Sequence, residues 1–379
     1  FLKYAPNRLV SGAAISLVEV LASRFDASQT LALLGILVPA LLLGAAVFLP
    51  PRRTTQVVVS LAATLLLTGL AWLAADEAAR LAALAEAASG MSPGIERTSL
   101  GGAFWTLAAL SWLAAADALG RLGLKPALRL AASAAVMTPL LVLLGSGALA
   151  HLSLLREYAN RADVFNAALL QHVQIVLASL LPALLIGVPL GVASVGAGRW
   201  MQALRPVLFS ALNLIQTVPS IALFGLLMAP LALLAASVPL LAQWGIKGVG
   251  MAPAVLALML YSLLPLVRST AAGLEQVPRP VINAALGMGL SARQIFWRVE
   301  VPLALPVFLA GLRVATVQTI GMAVVAALIG AGGFGAIMFQ GLLGGALDLV
   351  LLGVVPVVAM AVLADAVLKA MAASLAHGA

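Results

Sequence analysis

VINAALGMGLSARQIFWRVEVP, residues 281–302, interrupts a chain that is otherwise close to hydrocarbon in character. Arg268, Arg279, Arg293 and Arg298 stand in it or beside it. The stretch is polar for its surroundings yet rich in helix formers, and it closes on Val301-Pro302. Ala284, Ala285 and Gly289 are small enough to let a second backbone approach closely. Ser291 has the side chain of an N-cap for a second helix starting at Ala292. The spacing predicts a helix, a turn and another helix at the membrane surface. Composition leaves two readings open: a helix held by a partner, or an amphipathic loop helix that docks on nothing.

Outward from this insert, the 379 residues are 63% hydrophobic and 9% charged, with mean hydropathy +1.13. Soluble domains carry about 25% charged residues. The long apolar runs therefore predict an all-α, polytopic membrane protein, and the alternating polarity of barrel strands is missing. The chain has no cysteine, which excludes disulfides and thiolate metal sites. The net charge of +8 does not signal nucleic acid, because the basic residues lie in short loops between apolar runs. The sequence begins with Phe1 rather than Met, so a leader or an extra first span is expected upstream.

A span needs about 20 mostly apolar residues. Nine segments qualify: 31–50, 56–75, 102–119, 129–149, 171–195, 204–229, 251–267, 303–328 and 348–369. The Pro-broken run 230–243 reads as an outer half-helix or lid. One set of loops, 51–55, 120–129, 196–206, 268–302 and the C-terminal end, collects 12 of the 21 Lys and Arg: Arg52, Arg53, Arg121, Lys125, Arg129, Arg199, Arg205, Arg268, Arg279, Arg293, Arg298 and Lys369. The opposite side holds most of the acids, including Asp76, Glu77, Glu86, Glu96 and Glu157. Positive-inside bias makes the first side cytoplasmic, so 281–302 faces the cytosol. Residues 76–101 read as an acidic outer loop, and 151–170 as an amphipathic helix on the outer surface. Two regions differ in texture. Residues 1–165 are an Ala/Leu-rich N-terminal transmembrane region, whereas 166–379 hold most of the Pro, Gly and in-membrane amides.

The insert resembles the EAA motif of ABC-importer permeases: Glu-Ala-Ala, a glycine four positions after the last alanine, and a closing apolar-x-apolar-Pro. Asn283, Ala284, Ala285, Gly289, Val299, Val301 and Pro302 keep that spacing, with Asn283 where the family has glutamate. The flanks are similar to permeases of osmoprotectant importers, which take up glycine betaine, choline, carnitine or proline betaine. They are Leu303-Ala304-Leu305-Pro306, Ala310 to Gln318, Ala326 to Gly335, Asn213 to Ser220, and Leu180 to Gly191 with Pro182 and Pro189. Tyr4 to Gly12 resembles a longer variant with extra N-terminal spans. The resemblance implies a type I ABC importer (MetI-like) permease core of five helices over 166–379, preceded by about four extra transmembrane helices. It implies coupling through 281–302, with Asn283, Ala284, Ala285, Gly289, Arg293 and Pro302 meeting a cytoplasmic ABC ATPase. That ATPase would bind ATP and Mg, and this chain would need no cofactor of its own. The remaining implied partners are a periplasmic or lipid-anchored solute-binding protein, a second permease in a homodimer or heterodimer, and lipid of the bacterial inner membrane. No nucleic acid is implied.

Other polar residues offer a choice of role. Asn213, Gln216, Thr217, Pro219 and Ser220 fall in one expected span, with Asn213, Gln216 and Ser220 on one helical face. They line a translocation path or gate, with Pro219 weakening the helix, or they hold the bundle together by hydrogen bonds. Gln318, Thr316 and Tyr261 pose the same choice. Gly330 to Gly345 is glycine-rich but lacks GxxxxGK[ST] and reads as a re-entrant or kinked segment near the outer face. Arg313 is expected to snorkel to the cytoplasmic surface. Asp117 and Asp365 are expected to pair with Arg121 and Lys369. Most tryptophans, Trp244 among them, read as interface anchors. His151, His172 and His377 have no metal-ligand spacing, and His151 and His172 are expected outside the membrane core. No Walker A sequence occurs, so ATP hydrolysis belongs elsewhere. Two alternatives remain: an ABC permease for another small solute such as an amino acid, and a secondary transporter driven by an ion gradient. The second lacks the embedded carboxylates it would need.

Overall fold

The computed structural model describes residues 1–5, 12–22, 30–89, 96–195, 199–243 and 245–376. Trp244, His377 and most of the Tyr4 to Gly12 stretch lie outside the described residues. The chain divides into two compact units, Phe1–Arg161 and Ala162–Ala379. Among the described residues, eight helices are long and apolar enough to cross a membrane.

The first unit is organised by α3, Arg53–Ser89, a helix of 37 residues. Leu70, Ala74 and Ala78 on one stripe of it are fully buried. Around it lie α1 (Leu17–Ala22), α2 (Thr30–Ala46), α4 (Gly102–Arg121) and α5 (Pro126–Gly145). α2 and α3 approach closely at Gly69, where an added Cβ would stand 3.2 Å from the Gly35 carbonyl oxygen. α3 runs 14 residues past Ala75 (Asp76 to Ser89), so the first half of the expected acidic loop is helix instead. Ala, Glu, Leu and Arg are strong helix formers. Arg80 also grips Glu77 one turn back, with Nε to Oε2 at 3.0 Å and Nη2 to Oε1 at 2.5 Å. β1 (Leu2–Ala5), β2 (Ala13–Ile15) and β3 (Arg97–Leu100) form a small antiparallel sheet in the order β2-β1-β3, with Leu2 opposite both Ile15 and Leu100. It adds a strand element that the apolar runs did not signal. A 3₁₀ turn at Ala148–His151 leads to α6, Ser153–Asn160.

The second unit carries five of the eight spanning helices. They lie in α7 (Ala162–Val195), α9 (Ser220–Ser237), α11 (Met251–Glu275), α14 (Val301–Ala323, entered through Ala292–Glu300) and α16 (Leu347–Ala376). Shorter elements are α8 (Arg199–Thr217), α10 (Pro239–Gln243), α12 (Arg279–Gly287), α13 (Ala292–Ile295) and α15 (Phe334–Leu343). α11 is central, burying Ala254, Leu258, Leu266 and Val267 completely. Without a hydrophobic drive inside lipid, helices associate by close packing at small residues. A Cβ on Gly191 would come 2.5 Å from Thr270 Cβ, and one on Gly273 would come 2.8 Å from the Ala304 carbonyl oxygen. One on Gly311 would overlap Ser269.

The expected single span at 204–229 is two helices, α8 and α9, broken at Val218-Pro219. Proline has no N–H and pushes the preceding residue out of the helical region. Ser220 therefore does not continue the face of Asn213 and Gln216. The segment at 31–50 is likewise shorter than expected, a 17-residue α2 that is not among the eight spanning helices.

Candidate functional site

The insert folds as two helices joined by a tight turn. Pro278 stands at the N-cap of α12, and Pro280 occupies its first turn. Its C-terminus is closed by two hydrogen bonds: Leu290 N–H to Ala285 O at 3.2 Å and Gly289 N–H to Leu286 O at 2.9 Å. This pair is a Schellman motif, which needs a left-handed residue in the Gly289 position. Gly289 has φ +79°, and a Cβ there would meet nothing within 4 Å. The glycine is thus demanded by backbone conformation, a reason additional to close approach of a partner.

Ser291 then opens α13 with a capping box. Its hydroxyl accepts from Gln294 N–H at 3.4 Å, and Gln294 Oε1 accepts from Ser291 N–H at 2.8 Å. Ala285 and Ile295 turn inward, at 2% and 4% exposure, so only one alanine of the pair, Ala284, faces outward. Asn283, Arg293 and Pro302 are also exposed. With them stand Leu286, Met288 and Trp297, the last two at 75% and 61% exposure. Beside this surface Arg205 Nη1 meets Glu275 Oε1 at 2.5 Å, tying α8 to the end of α11.

The polar residues of α8 gather around α11. Arg268 donates to Asn213 Oδ1 at 2.9 Å, and Gln216 Nε2 donates to the Tyr261 carbonyl at 2.8 Å. The Tyr261 hydroxyl donates to the Val218 carbonyl, on the residue just before the helix-breaking Pro219. Thr217 closes on its own helix through Leu214 O at 2.7 Å. Pro219 is exposed and Ser220 half-buried. Gln318 stays on α14, donating to Met322 Sδ at 3.6 Å, and does not join the others. The structure thus brings Asn213, Gln216 and Tyr261 together with Arg268, a partner the sequence did not disclose.

Tyr261→Phe keeps the ring, which is only 5% exposed, and leaves the Val218 carbonyl without its donor. We expect a cost of about 1–2 kcal/mol, read as a lower melting temperature of the purified protein. An unchanged melting temperature would show that the break does not depend on this bond.

The glycine-rich segment is held against α7. A 3₁₀ turn at Val325–Ile329 ends in Gly330, Gly332 and Gly333, all with positive φ, before the 10-residue α15. Gly333 N–H donates to Gln171 Oε1 at 3.0 Å. His172 Nε2 lies 3.1 Å from Ile320 O, a carbonyl near the end of α14. His172 is not a surface residue. It lies within α7, fully buried, its ring 5.6 Å from that of Phe334. It accompanies Gln171 as a polar pair in a long apolar helix, a signal passed over because no metal spacing accompanied it. Arg313 pairs with Asp365 at 3.2 Å, a partner the sequence did not disclose, and Asp365 also takes Lys369 at 2.6 Å, the pairing expected of it. Arg121 and Asp117 pair at 2.7 Å, as the sequence suggested.

Five spanning helices, with a capped helical hairpin left exposed between two of them, fit the membrane subunit of a transporter. The chain belongs to the family of binding-protein-dependent transport system inner membrane components, whose pattern matches residues 172–377. It is a multi-pass inner-membrane protein. Residues 1–155 match a second family, the N-terminal domain of ABC transporter permease YehY. The chain is 38% identical over 206 residues to the osmoprotectant import permease protein OsmW of Salmonella typhimurium, covering 54% of this chain and 89% of that one. It is 35% identical over 198 residues to the glycine betaine/carnitine/choline transport system permease protein OpuCB of Bacillus subtilis, covering 52% and 82%. A solved inward-facing MetNI methionine ABC transporter aligns at 19% identity with a TM-score of 0.49, covering 57% of this chain and 98% of that one.

Proposed function

We propose that this chain is the permease of an ATP-driven importer of betaine-like osmoprotectants, with 166–379 as its transport core. The observation that carries the reading is the exposed hairpin of α12 and α13, fixed by a Schellman turn and a capping box. A rigid, largely exposed hairpin suits a part that transmits motion from a partner. The substrate class is taken from the relatives' names, OsmW and OpuCB.

In this mechanism a periplasmic or lipid-anchored binding protein delivers the solute to the outer face. Two permease subunits, alike or different, form the path between α7, α8–α9, α11 and α14. Asn213, Gln216, Thr217, Pro219, Ser220, Tyr261 and Gln318 line or gate it. Two cytoplasmic ATPase subunits bind ATP and Mg, and their closure moves the paired hairpins together through Asn283, Ala284, Ala285, Gly289, Arg293 and Pro302. Asn283 supplies no charge, so the contact rests on shape, on the exposed Met288 and Leu286, and on arginines. The chain contributes no catalysis.

The test is uptake of labelled glycine betaine into proteoliposomes holding the permease with its ATPase and binding protein. Uptake is expected only with ATP on the ATPase side and the binding protein on the other. Uptake driven by a proton or sodium gradient without ATP would overturn the proposal.

A further inference from the structure

The outer end of the first unit holds a cleft that the transport reading does not use. Its volume is 510 Å³, and its lining includes Arg97, Arg156, Leu149, Leu155, Tyr158 and Asn160. It is built by the end of α5, the 3₁₀ turn, β3 and α6. All of these sit at the end of the unit opposite the cytoplasmic loops 51–55 and 120–129.

The charge in this cleft is not balanced. Two guanidinium groups line it and no carboxylate does. The acid paired with Arg97 is Glu157, 4% exposed, which serves two cations at once: Arg97 at 3.6 Å and Arg161 at 3.5 Å. Both distances exceed the roughly 2.7–2.9 Å of a charge-assisted hydrogen bond. Arg97 Nε is buried and has no hydrogen-bond partner among the described residues, a condition rare enough to need a reason. Arg156 is held in place by the Glu96 carbonyl at 3.0 Å and by His151 Nδ1 at 3.4 Å. Those contacts neutralise none of its charge. A planar guanidinium with spare donors matches an oxyanion in two-point fashion. Leu149, Leu155 and the exposed Tyr158 add an apolar wall, and the volume lies within the usual range for small-molecule sites.

We propose that this cleft is an oxyanion-binding site, in which Arg97 and Arg156 hold a carboxylate or phosphate whose apolar part lies against Leu149, Leu155 and Tyr158. The anion has two sources, a soluble organic acid of the outer aqueous phase or the headgroup of an acidic lipid. Site and ligand are independent of the translocated solute, and the assay below needs no transport.

The full-length chain in detergent is titrated with sodium acetate or inorganic phosphate against sodium chloride of equal ionic strength, and melting is followed. In parallel, native mass spectrometry compares retained phosphatidylglycerol with retained phosphatidylcholine. Arg156→Gln leaves both Glu157 ion pairs in place and is expected to melt like wild type without added anion. It is expected to bind the anion at least tenfold more weakly. If that variant does not fold, Arg156→Lys keeps the charge without the planar fork and is expected to bind at least threefold more weakly. Stabilisation by acetate or phosphate with no selective lipid retention identifies a soluble anion. Phosphatidylglycerol retained on wild type and lost in the variant identifies a headgroup. Wild type that responds to none of these probes, or that responds no better than the variant, overturns the proposal.

Discussion

Replacing Gly335 with valine is expected to abolish recovery of folded protein. A Cβ at this position would overlap the Val324 carbonyl oxygen and stand 2.8 Å from Ala327 Cβ. Val324 leads into the 3₁₀ turn at Val325–Ile329, so the obstructing atom belongs to backbone and has no rotamer to escape into. The segment is also pinned on its other side, by Gln171 to Gly333 N–H and by His172 to Ile320 O. Overpacking costs about 1–3 kcal/mol where neighbours can shift, and more where they cannot. Total stability is only about 5–15 kcal/mol. Alanine is expected to lower the yield and the melting temperature, and valine to leave no monodisperse peak on size exclusion in detergent. Gly321→Ala is the control. It lies in α14 with nothing within 4 Å of its added Cβ, and alanine favours helix over glycine by up to about 1 kcal/mol. Equal recovery of Gly335→Val and Gly321→Ala would refute the packing argument.

The second large effect is expected at Gly289, in the joint between α12 and α13. Valine there must adopt φ near +79°, at a cost of at least about 1–2 kcal/mol for a side chain with a Cβ, or abandon the Schellman turn. Either way, the ratio of hairpins in the described geometry to those outside it falls about 5–30-fold. ATP-dependent uptake is expected to fall with it, while the spanning helices stay folded. Asparagine tolerates the left-handed region and is expected to retain most of the uptake. The pair separates two reasons for a glycine. If asparagine fails as badly as valine, a collision with a partner is the expected cause, because an added Cβ meets nothing within 4 Å beyond its two chain neighbours. If both variants transport normally, the hairpin does not couple to anything.

What the sequence disclosed was local. The hairpin at 281–302 was legible because an N-cap serine and helix formers on both sides of a glycine are local signals, whereas the conformational reason for Gly289 appeared only in the backbone. The spanning helices were legible because apolar length alone specifies them. The misreadings came where local signals competed. Asp76, Glu77 and Arg80 read as loop because they are charged, yet an Ala- and Glu-rich run continues the helix, with Glu77 buried in the unit and gripped by Arg80. Pro219 read as a bend, but the residue before it could not stay helical, and the break divided the face assumed for Asn213, Gln216 and Ser220. Distant partnerships were not legible at all. Arg268 meets Asn213 across 55 residues, His172 meets Ile320 across 148, and β1 finds β3 on the far side of three helices. Nothing in one strand of sequence marks such pairs.

The length of α3 has a consequence for anything approaching from outside. At 1.5 Å per residue its 37 residues extend about 55 Å, against about 30 Å of hydrocarbon. Even tilted by about 40°, the steep end of what such helices show, it rises about 42 Å. Between Arg53 at its cytoplasmic start and Asp76 it carries no charge, so the surplus beyond Asp76 is expected on the side away from the cytosol. By that length the helix is both membrane span and mast, and its final turns are expected clear of the lipid. An antibody fragment against the residues near Ala85, or a maleimide directed at a cysteine introduced there, should therefore report on intact, unpermeabilised spheroplasts, giving a handle on this protein that leaves the transport core untouched.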